Sequence, residues 1–290
     1  MAKETKYGIP SLKRDFPTDT ACLEYIFDAA HNRTCSCGGR YSLMKNSRKF
    51  QCSKCRFKIS PTAETVFDHS PTPLTLWFQA VLVFSNAKSG ISAKEMERQL
   101  EVTYKCAYRI LMLIRKSLAQ SVRKLKGDVE MDETYFGGRF RSGKYNVNQS
   151  AAIKAKSVII GAVERGGAMR AKVSPNTRAR TIGGFLLENV ERDGTRLLTD
   201  ESNRYNRVAR GYDRHSVNHG KGEYARYYVH VSNIESFWGH IKRSIRGTHK
   251  VISRKCLQSY LDGFVFHYNN RSNDRERFAS LLGILVHASR

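Results

Sequence analysis

Near Asp128 the spacing of apolar residues changes from about 3.6 to 2, so helices come first along the chain and strands after them. Cys22, Leu23, Tyr25, Ile26 and Ala29 recur at helical spacing, with Asp19 or Thr20 available as a cap. Residues 1–30 therefore read as a short basic lead-in and one helix. Residues 31–60 have no long periodic run and cannot bury much apolar surface alone, so they need a staple. Pro71 and Pro73 mark a linker. Helical spacing returns near Leu74 with Trp77, Phe78, Val81, Leu82 and Phe84, until Gly90 breaks it. Ser92-Ala-Lys-Glu95 has the form of a capping box and opens a second helix that runs to about Leu100.

Glu101-Val102-Thr103 then makes a short turn, and Thr103 caps a third helix. Ala107, Ile110, Leu111 and Ile114 share one face of it, and Tyr104, Lys105, Tyr108 and Arg109 share the other. Two short helices across a tight turn, with a basic and aromatic face at the start of the second, fit a helix-turn-helix.

Strands follow. Val129 and Met131 alternate with Glu130 and Asp132. A basic loop rich in Gly and Ser spans 137–156, Ser157 to Val163 is an apolar strand, and Met169 to Val173 is a third. Thr181 to Val190 is helical, and Thr195-Arg-Leu-Leu-Thr-Asp200 is a fourth strand ending on a carboxylate. In the following helix Phe237, Trp238 and Ile241 form the packing side, while Glu235 and Lys242 lie about two turns apart on one exposed face. Strand-strand-strand-helix-strand, with acids at a strand centre and a strand end, is the pattern of a ribonuclease-H-like sheet.

Charge narrows the partner. Lys plus Arg total 50 against 26 Asp plus Glu in 290 residues, a formal charge of +24 with a pI near 9.9. Such an excess favours a polyanion and speeds association with it. No apolar run approaches the roughly 18 residues of a membrane span, and Met-Ala-Lys-Glu-Thr-Lys-Tyr-Gly has no apolar signal core. The expectation is a soluble, cytoplasmic, nucleoid-associated protein that acts on double-stranded DNA and not on a membrane.

The cysteines supply the staple. Cys22, Cys106 and Cys256 are scattered in apolar or helical settings, but Cys35-Ser-Cys37-Gly-Gly and Cys52-Ser-Lys-Cys55 form two knuckles around a basic hairpin. Four thiolates satisfy tetrahedral Zn²⁺. The first knuckle has a one-residue gap in place of two, which leaves His31 as an alternative ligand. Lys45, Arg48, Lys49 and Arg56 lie in the hairpin region without an acid among them, and Phe50 and Phe57 are interleaved. That composition suits a phosphate backbone.

Asp132, Asp200 and Glu235 are the acids in informative places. If the first and fourth strands are neighbours, Asp132 and Asp200 converge at one sheet edge and the later helix brings Glu235. Converged carboxylates repel unless a cation offsets them, and Mg²⁺ or Mn²⁺ shared with phosphate oxygens fits the need.

The chain resembles the ISXO-type DDE transposases of bacterial insertion sequences, relatives of the eukaryotic Merlin elements. The resemblance covers nearly the whole chain. It rests on the knuckles, Gly90-Ile-Ser-Ala, Met131-Asp-Glu-Thr-Tyr-Phe-Gly-Gly138, Leu198-Thr-Asp200, Val217-Asn-His-Gly-Lys-Gly-Glu-Tyr224, Ser232-Asn-Ile-Glu-Ser-Phe-Trp238, Lys242-Arg243 and Tyr268-Asn-Asn-Arg271. It implies Asp132, Asp200 and Glu235 as metal ligands, Lys242 as the accompanying cation, Arg243 against DNA, and Asn233 as the alternative third catalytic residue. The shortened first knuckle, Gly263 and His267 depart from the family pattern.

The expected architecture is α+β and multidomain. It comprises an N-terminal helix (1–30), a zinc ribbon (31–60), a helix-turn-helix DNA-binding domain (70–125), and a ribonuclease-H-like catalytic core with C-terminal helices (126–290). The expected activity is binding of terminal inverted repeats with metal-dependent cleavage and strand transfer, by a homodimer or larger assembly on DNA. A DNA-binding regulator or a structure-selective nuclease derived from a transposase is the alternative.

Overall fold

In a computed structural model of the chain, which describes residues 6–118, 123–137, 156–217 and 228–288, the first long helix starts on a different cap from the expected one. Thr18 accepts from the Ala21 N–H at 3.2 Å and opens α2 (Asp19–Ala30). Asp19 is used elsewhere: its carboxylate accepts from the backbone N–H groups of Leu74 (3.1 Å) and Thr75 (2.9 Å) and from the Thr75 hydroxyl (2.8 Å). It thereby caps α3 (Leu74–Asn86), whose own cap position is Pro73, a residue with nothing to offer. A preceding helix, α1 (Ile9–Asp15), was not legible, being short with Pro10 in its first turn and only Leu12 buried.

The chain divides into two compact units, 1–118 with 270–290, and 119–269. In the first, β1 (Tyr41–Leu43), β2 (Phe50–Cys52) and β3 (Lys58–Ile59) form an antiparallel three-stranded sheet. Phe27 of α2 stacks on Phe50 at 4.0 Å, and Arg33 lies over both rings while paired with Glu24 and Asp28. The stretch expected as a linker before Leu74 is packed: Val66 and Phe67 are buried, and the Trp77 indole donates to Ser70 at 2.9 Å. Those apolar side chains give it an anchor that its prolines do not advertise.

α4 (Ala93–Leu100) and α5 (Tyr104–Ser117) follow, joined across Glu101, which is left-handed at φ 53°. Only half of the capping box forms. Ser92 accepts from the Glu95 N–H at 3.1 Å, while the Glu95 carboxylate turns outward to Arg98 and Gln99. Thr103 caps α5 as expected.

The last helix, α10 (Asp274–His287), belongs to this unit and not to the catalytic core where the sequence reading put it. Phe278 sits 5.0 Å from Tyr7 and 6.5 Å from Phe78, closing an aromatic cluster that includes Phe16 and Tyr25. The core boundary therefore falls at 269.

The second unit is built on β4 (Leu125–Phe136), β5 (Ser157–Glu164), β6 (Met169–Ser174), β7 (Val190–Asp200) and β8 (Asp213–Val217). The spatial order is β6-β5-β4-β7-β8. β4, β5 and β6 pair antiparallel, and β7 and β8 run parallel to β4. This is the ribonuclease-H-like arrangement. β8 was not expected from the sequence, because an edge strand reading Asp-Arg-His-Ser-Val lacks the apolar alternation of a half-buried one.

The period of two then sorts the core into two layers. Val129, Met131, Ile160 and Ala162 pack against α6 (Ala179–Asn189) and Tyr205 of α7 (Arg204–Val208). Ile159, Val163, Ala171 and Leu198 pack on the other face, against α8 (Ser232–Ser244) and α9 (Leu257–Asn269). Most of the basic loop expected at 137–156 and most of the 217–224 motif lie outside the described residues. Among the described residues no helix is long and apolar enough to cross a membrane.

Candidate active site

β4 and β7 are neighbours and parallel, so the condition set by the sequence is met. Their last paired residues are Glu130 and Leu198; two residues further on, each strand carries an acid, Asp132 and Asp200. Both acids are half-buried, Asp200 at the end of β7 and Asp132 in the second half of β4, four residues before its end. Glu235 sits in the first turn of α8 and is exposed, as is Lys242 two turns later. The packing side of α8 is the expected one, with Phe237, Trp238 and Ile241 buried.

The acids feel one another. Burial pushes the Asp132 carboxyl up to about 6, and the negative charges of Asp200 and Glu235 push the same way; the Glu133 N–H and the Trp238 indole oppose them. Glu133 is driven up to about 7 by burial and then by Asp132 and Asp200. Burial and mutual repulsion both disfavour the charged carboxylates, and a hard divalent cation with oxygen ligands would offset both. The donor set fits such an ion. The trio is nevertheless open: among the described residues, only the cysteine group below has three or more ligand atoms all within 4.8 Å of one another.

Four residues that the sequence did not mark as part of this site build it. Trp238 donates its indole N–H to Asp132 at 3.1 Å. It can do so because Gly161, paired across the ladder with Asp132, has no side chain; a Cβ there would lie 2.6 Å from the indole ring. Glu130, on the same face of β4 as Asp132, is fully buried and accepts from the backbone N–H groups of Asn233 (2.9 Å) and Ile234 (3.1 Å). It is a carboxylate at the positive end of α8, where the helix dipole favours it. Arg165 completes the anchor, donating to Glu130 at 2.8 Å and to the carbonyls of Tyr228 and His230. The signal was available in part: Glu130 stands two residues before Asp132 on an alternating strand. Its partners, Arg165 at 35 positions and Asn233 and Ile234 at 103 and 104, were not readable.

Asn233, the alternative third residue, donates its side-chain amide to Glu130 at 2.7 Å. That amide serves the anchor of α8, two residues before Glu235, whose charge reaches Asp132.

The cysteine cluster lies in the first unit. The Sγ atoms of Cys35, Cys37, Cys52 and Cys55 are all within 4.8 Å of one another, with 3.7 Å between Cys35 and Cys55 and 3.4 Å between Cys37 and Cys52. Sulfurs about 2.3 Å from a tetrahedral Zn²⁺ stand at close to such separations, so the four residues fit the ion. The one-residue gap is accommodated by Gly38, left-handed at φ 76°, and by Gly39, where a Cβ would lie 2.5 Å from the Cys52 sulfur. His31 is not in the group; its ring packs 5.3 Å from that of Phe27.

Of the residues expected to meet DNA, Lys45, Arg48, Lys49, Arg56, Tyr104, Lys105, Tyr108 and Arg243 are exposed. Tyr104 and Tyr108 stack at 6.1 Å on the outer face of α5. Arg109 differs: it is half-buried, and its Nη2 is enclosed without a hydrogen bond.

The chain is 27% identical over 241 residues to an uncharacterized protein in transposable element ISH50 of Halobacterium salinarum, covering 78% of this chain and 80% of that one. Among solved structures, a chain of the pre-cleavage Mos1 transpososome overlaps 72% of this chain and 75% of its own length at 13% identity and a TM-score of 0.32. A chain of the simian T-cell lymphotropic virus intasome in complex with PP2A regulatory subunit B56 gamma overlaps 67% and 71%, at 15% identity and a TM-score of 0.31. Residues 124–269, half of the chain and nearly the whole second unit, match the ISXO2-like transposase domain, and the chain belongs to that family.

Proposed function

We propose that this transposase binds the terminal inverted repeats of its own insertion sequence, cuts the DNA there, and joins the freed end to new DNA. Asp132, Asp200 and Glu235 act as the ligands of Mg²⁺ or Mn²⁺. The observation that carries this reading is the convergence of Asp132 and Asp200 on adjacent parallel strands, with the Glu235 charge acting on the same carboxyl. Asn233 is the weaker choice for the third position because its amide is engaged with Glu130.

A bound divalent ion, or a pair, would offset the charge that builds on the reacting phosphate and lower the cost of ionising the attacking hydroxyl. The chain's own residues do the rest. The three carboxylates would hold the ion against the phosphate, Trp238 fixes the rotamer of Asp132, and Glu130 with Arg165 fixes the start of α8. Lys242 and Arg243 contact the DNA backbone. In the first step water attacks phosphorus and the bond to the 3′ oxygen breaks, leaving a 3′-hydroxyl on the element and a 5′-phosphate on the flank. In the second, that hydroxyl attacks a target phosphodiester, so one such bond is made for one broken.

The cysteine cluster holds structural Zn²⁺. The ribbon cations Lys45, Arg48, Lys49 and Arg56, with Tyr104, Lys105, Tyr108 and Arg109 of the helix-turn-helix formed by α4 and α5, grip the element's ends. Joining two ends needs two active sites, hence a dimer or larger assembly on DNA.

The test uses purified full-length protein and labelled element ends. Asp132→Asn, Asp200→Asn and Glu235→Gln should each lower cleavage and joining by at least about 10³-fold while leaving end binding within a few-fold, because the three act as one unit. Full activity in Asp132→Asn would overturn the reading. Activity kept in Glu235→Gln but lost in Asn233→Ala would transfer the third position to Asn233.

A further inference from the structure

A cleft of about 640 Å³ opens in the second unit beyond the carboxylates. It is bounded by the end of β4, the start of β5, the last turn of α8, the single-turn π-helix Ile245–His249 and the segment leading to α9. Its cations are Lys156, Lys242, Arg246, Lys250 and Arg254, and no acid among the described residues lines it. Phe136, Ile245, Ile252 and Leu257 are half-buried or buried, whereas all of the cations but Lys156 are exposed. The floor is therefore apolar and the rim positive. Two apolar side chains stand out into solvent at this rim, Tyr135 at 37% and Val251 at 76% exposure. Lys250, immediately before Val251, has φ 62° and ψ −58°, a conformation rare for a residue with a side chain. Strained backbone and π-turns both concentrate at functional sites.

We propose that this cleft holds an unpaired nucleotide of the DNA strand being cut, its base on the apolar floor against Tyr135 and Val251 and its flanking phosphates on the cationic rim. The orientation rests on the function proposed above. Lys242 lies about 10 Å along α8 from Glu235, so a strand with its reacting phosphate at the carboxylates reaches the cleft within a few nucleotides. Duplex alone would need only the cations. The apolar floor and the projecting Tyr135 and Val251 match a base face, which stacks on any aromatic or apolar platform whatever its sequence.

The experiment needs no catalysis. Full-length Asp132→Asn protein, without added magnesium, is photocrosslinked to a single-stranded oligonucleotide carrying 5-iodouracil, and the modified peptides are mapped. Crosslinks should fall on Tyr135 or within 250–254. The same oligonucleotide annealed to its complement should crosslink there at least five-fold less. Val251→Asp, at an exposed position, should weaken single-strand binding five-fold or more, about the loss of one stacked base, with unchanged thermal melting. Arg246→Ala should flatten the slope of log affinity against log salt by about 0.7. Crosslinks confined to residues 1–118, or equal yields from single and double strands, would overturn the proposal. If metal-dependent cleavage fails while the cleft crosslinks, the function above falls and this site stands; cleavage without cleft crosslinks gives the reverse.

Discussion

The four thiols and the three carboxylates are both candidate metal-ligand sets, built on opposite plans. The thiols come from two turns of one short segment, and every sulfur lies within 4.8 Å of the others. Gly38 and Gly39 close that geometry locally. The carboxylates come from two strands and a helix, stand farther apart, and are aimed by residues that are not ligands: Trp238, Gly161, Glu130 and Arg165. A closed set exchanges nothing with solvent or substrate and suits holding a fold together. An open one leaves coordination positions for a phosphate. The difference predicts opposite responses when a ligand is removed.

Cys52→Ser should have the largest effect. The cysteine is buried at the end of β2, and the sheet it closes has three strands of two or three residues each. Such a sheet is not stable without its staple. Zinc content, read by elemental analysis, should fall from about one per chain to near zero, the stoichiometry of one four-ligand site. Affinity for element ends should fall with it. His31→Ala is the control that sharpens the point: it removes a ring packed on Phe27 and should leave zinc content unchanged. Loss of zinc in His31→Ala, or its full retention in Cys52→Ser, would break the assignment of the four thiols as a closed set.

The two plans also differ in how far the sequence revealed them. The cysteines sit close together in the chain, so their spacing carried nearly the whole site; only the adaptation to a one-residue gap needed coordinates. β4 was legible from its alternation and β5 from a short continuous apolar run, the mark of a strand covered on both faces, and the acids on β4 and β7 could be placed once those strands were found. What stayed hidden depends on contacts distant in sequence. Asp19 was read as a cap for its own helix and instead caps α3, more than fifty positions on. Phe278 meets Tyr7 and Phe78, which moves α10 into the first unit. Trp238 was read as packing alone, and its indole N–H reaches Asp132. No local periodicity encodes such pairings.

Glu130→Gln tests the remote support of the open site and should come second in size. The substitution keeps the shape but removes the charge that receives the first N–H groups of α8 and the Arg165 guanidinium. Bonds to a charged group of this kind contribute about 2–3 kcal/mol together once solvation is counted. The second unit should lose about that much stability, and cleavage should fall because Glu235 is carried on α8. Mn²⁺, which accepts less regular ligand geometry than Mg²⁺, should recover part of the activity in Glu130→Gln and none in Asp132→Asn. Equal Mn²⁺ responses in the two variants would show Glu130 to be structural only.

Asp132→Asn should have the smallest effect on stability and the opposite sign. In the fold the Asp132 carboxyl titrates near 6, against an ordinary value of 3.8, because burial and the Asp200 and Glu235 charges disfavour its ionised form. A folded value above the unfolded one means that ionisation costs stability. The cost is absent below the unfolded value, grows as pH rises between the two, and is complete above about 6. Asparagine keeps the size and can still accept from the Trp238 indole without carrying the charge. Without added magnesium, the variant should gain on the order of 1–2 kcal/mol at pH 8, a rise of a few degrees in melting temperature, and nothing at pH 4. Magnesium should raise the melting temperature of the native chain at pH 8 and reduce the gap to the variant, since the ion supplies the charge that the amide makes unnecessary. A variant that melts below the native chain at pH 8 without magnesium would mean that Asp132 is held for the fold, and the contrast with the closed cysteine set would be lost.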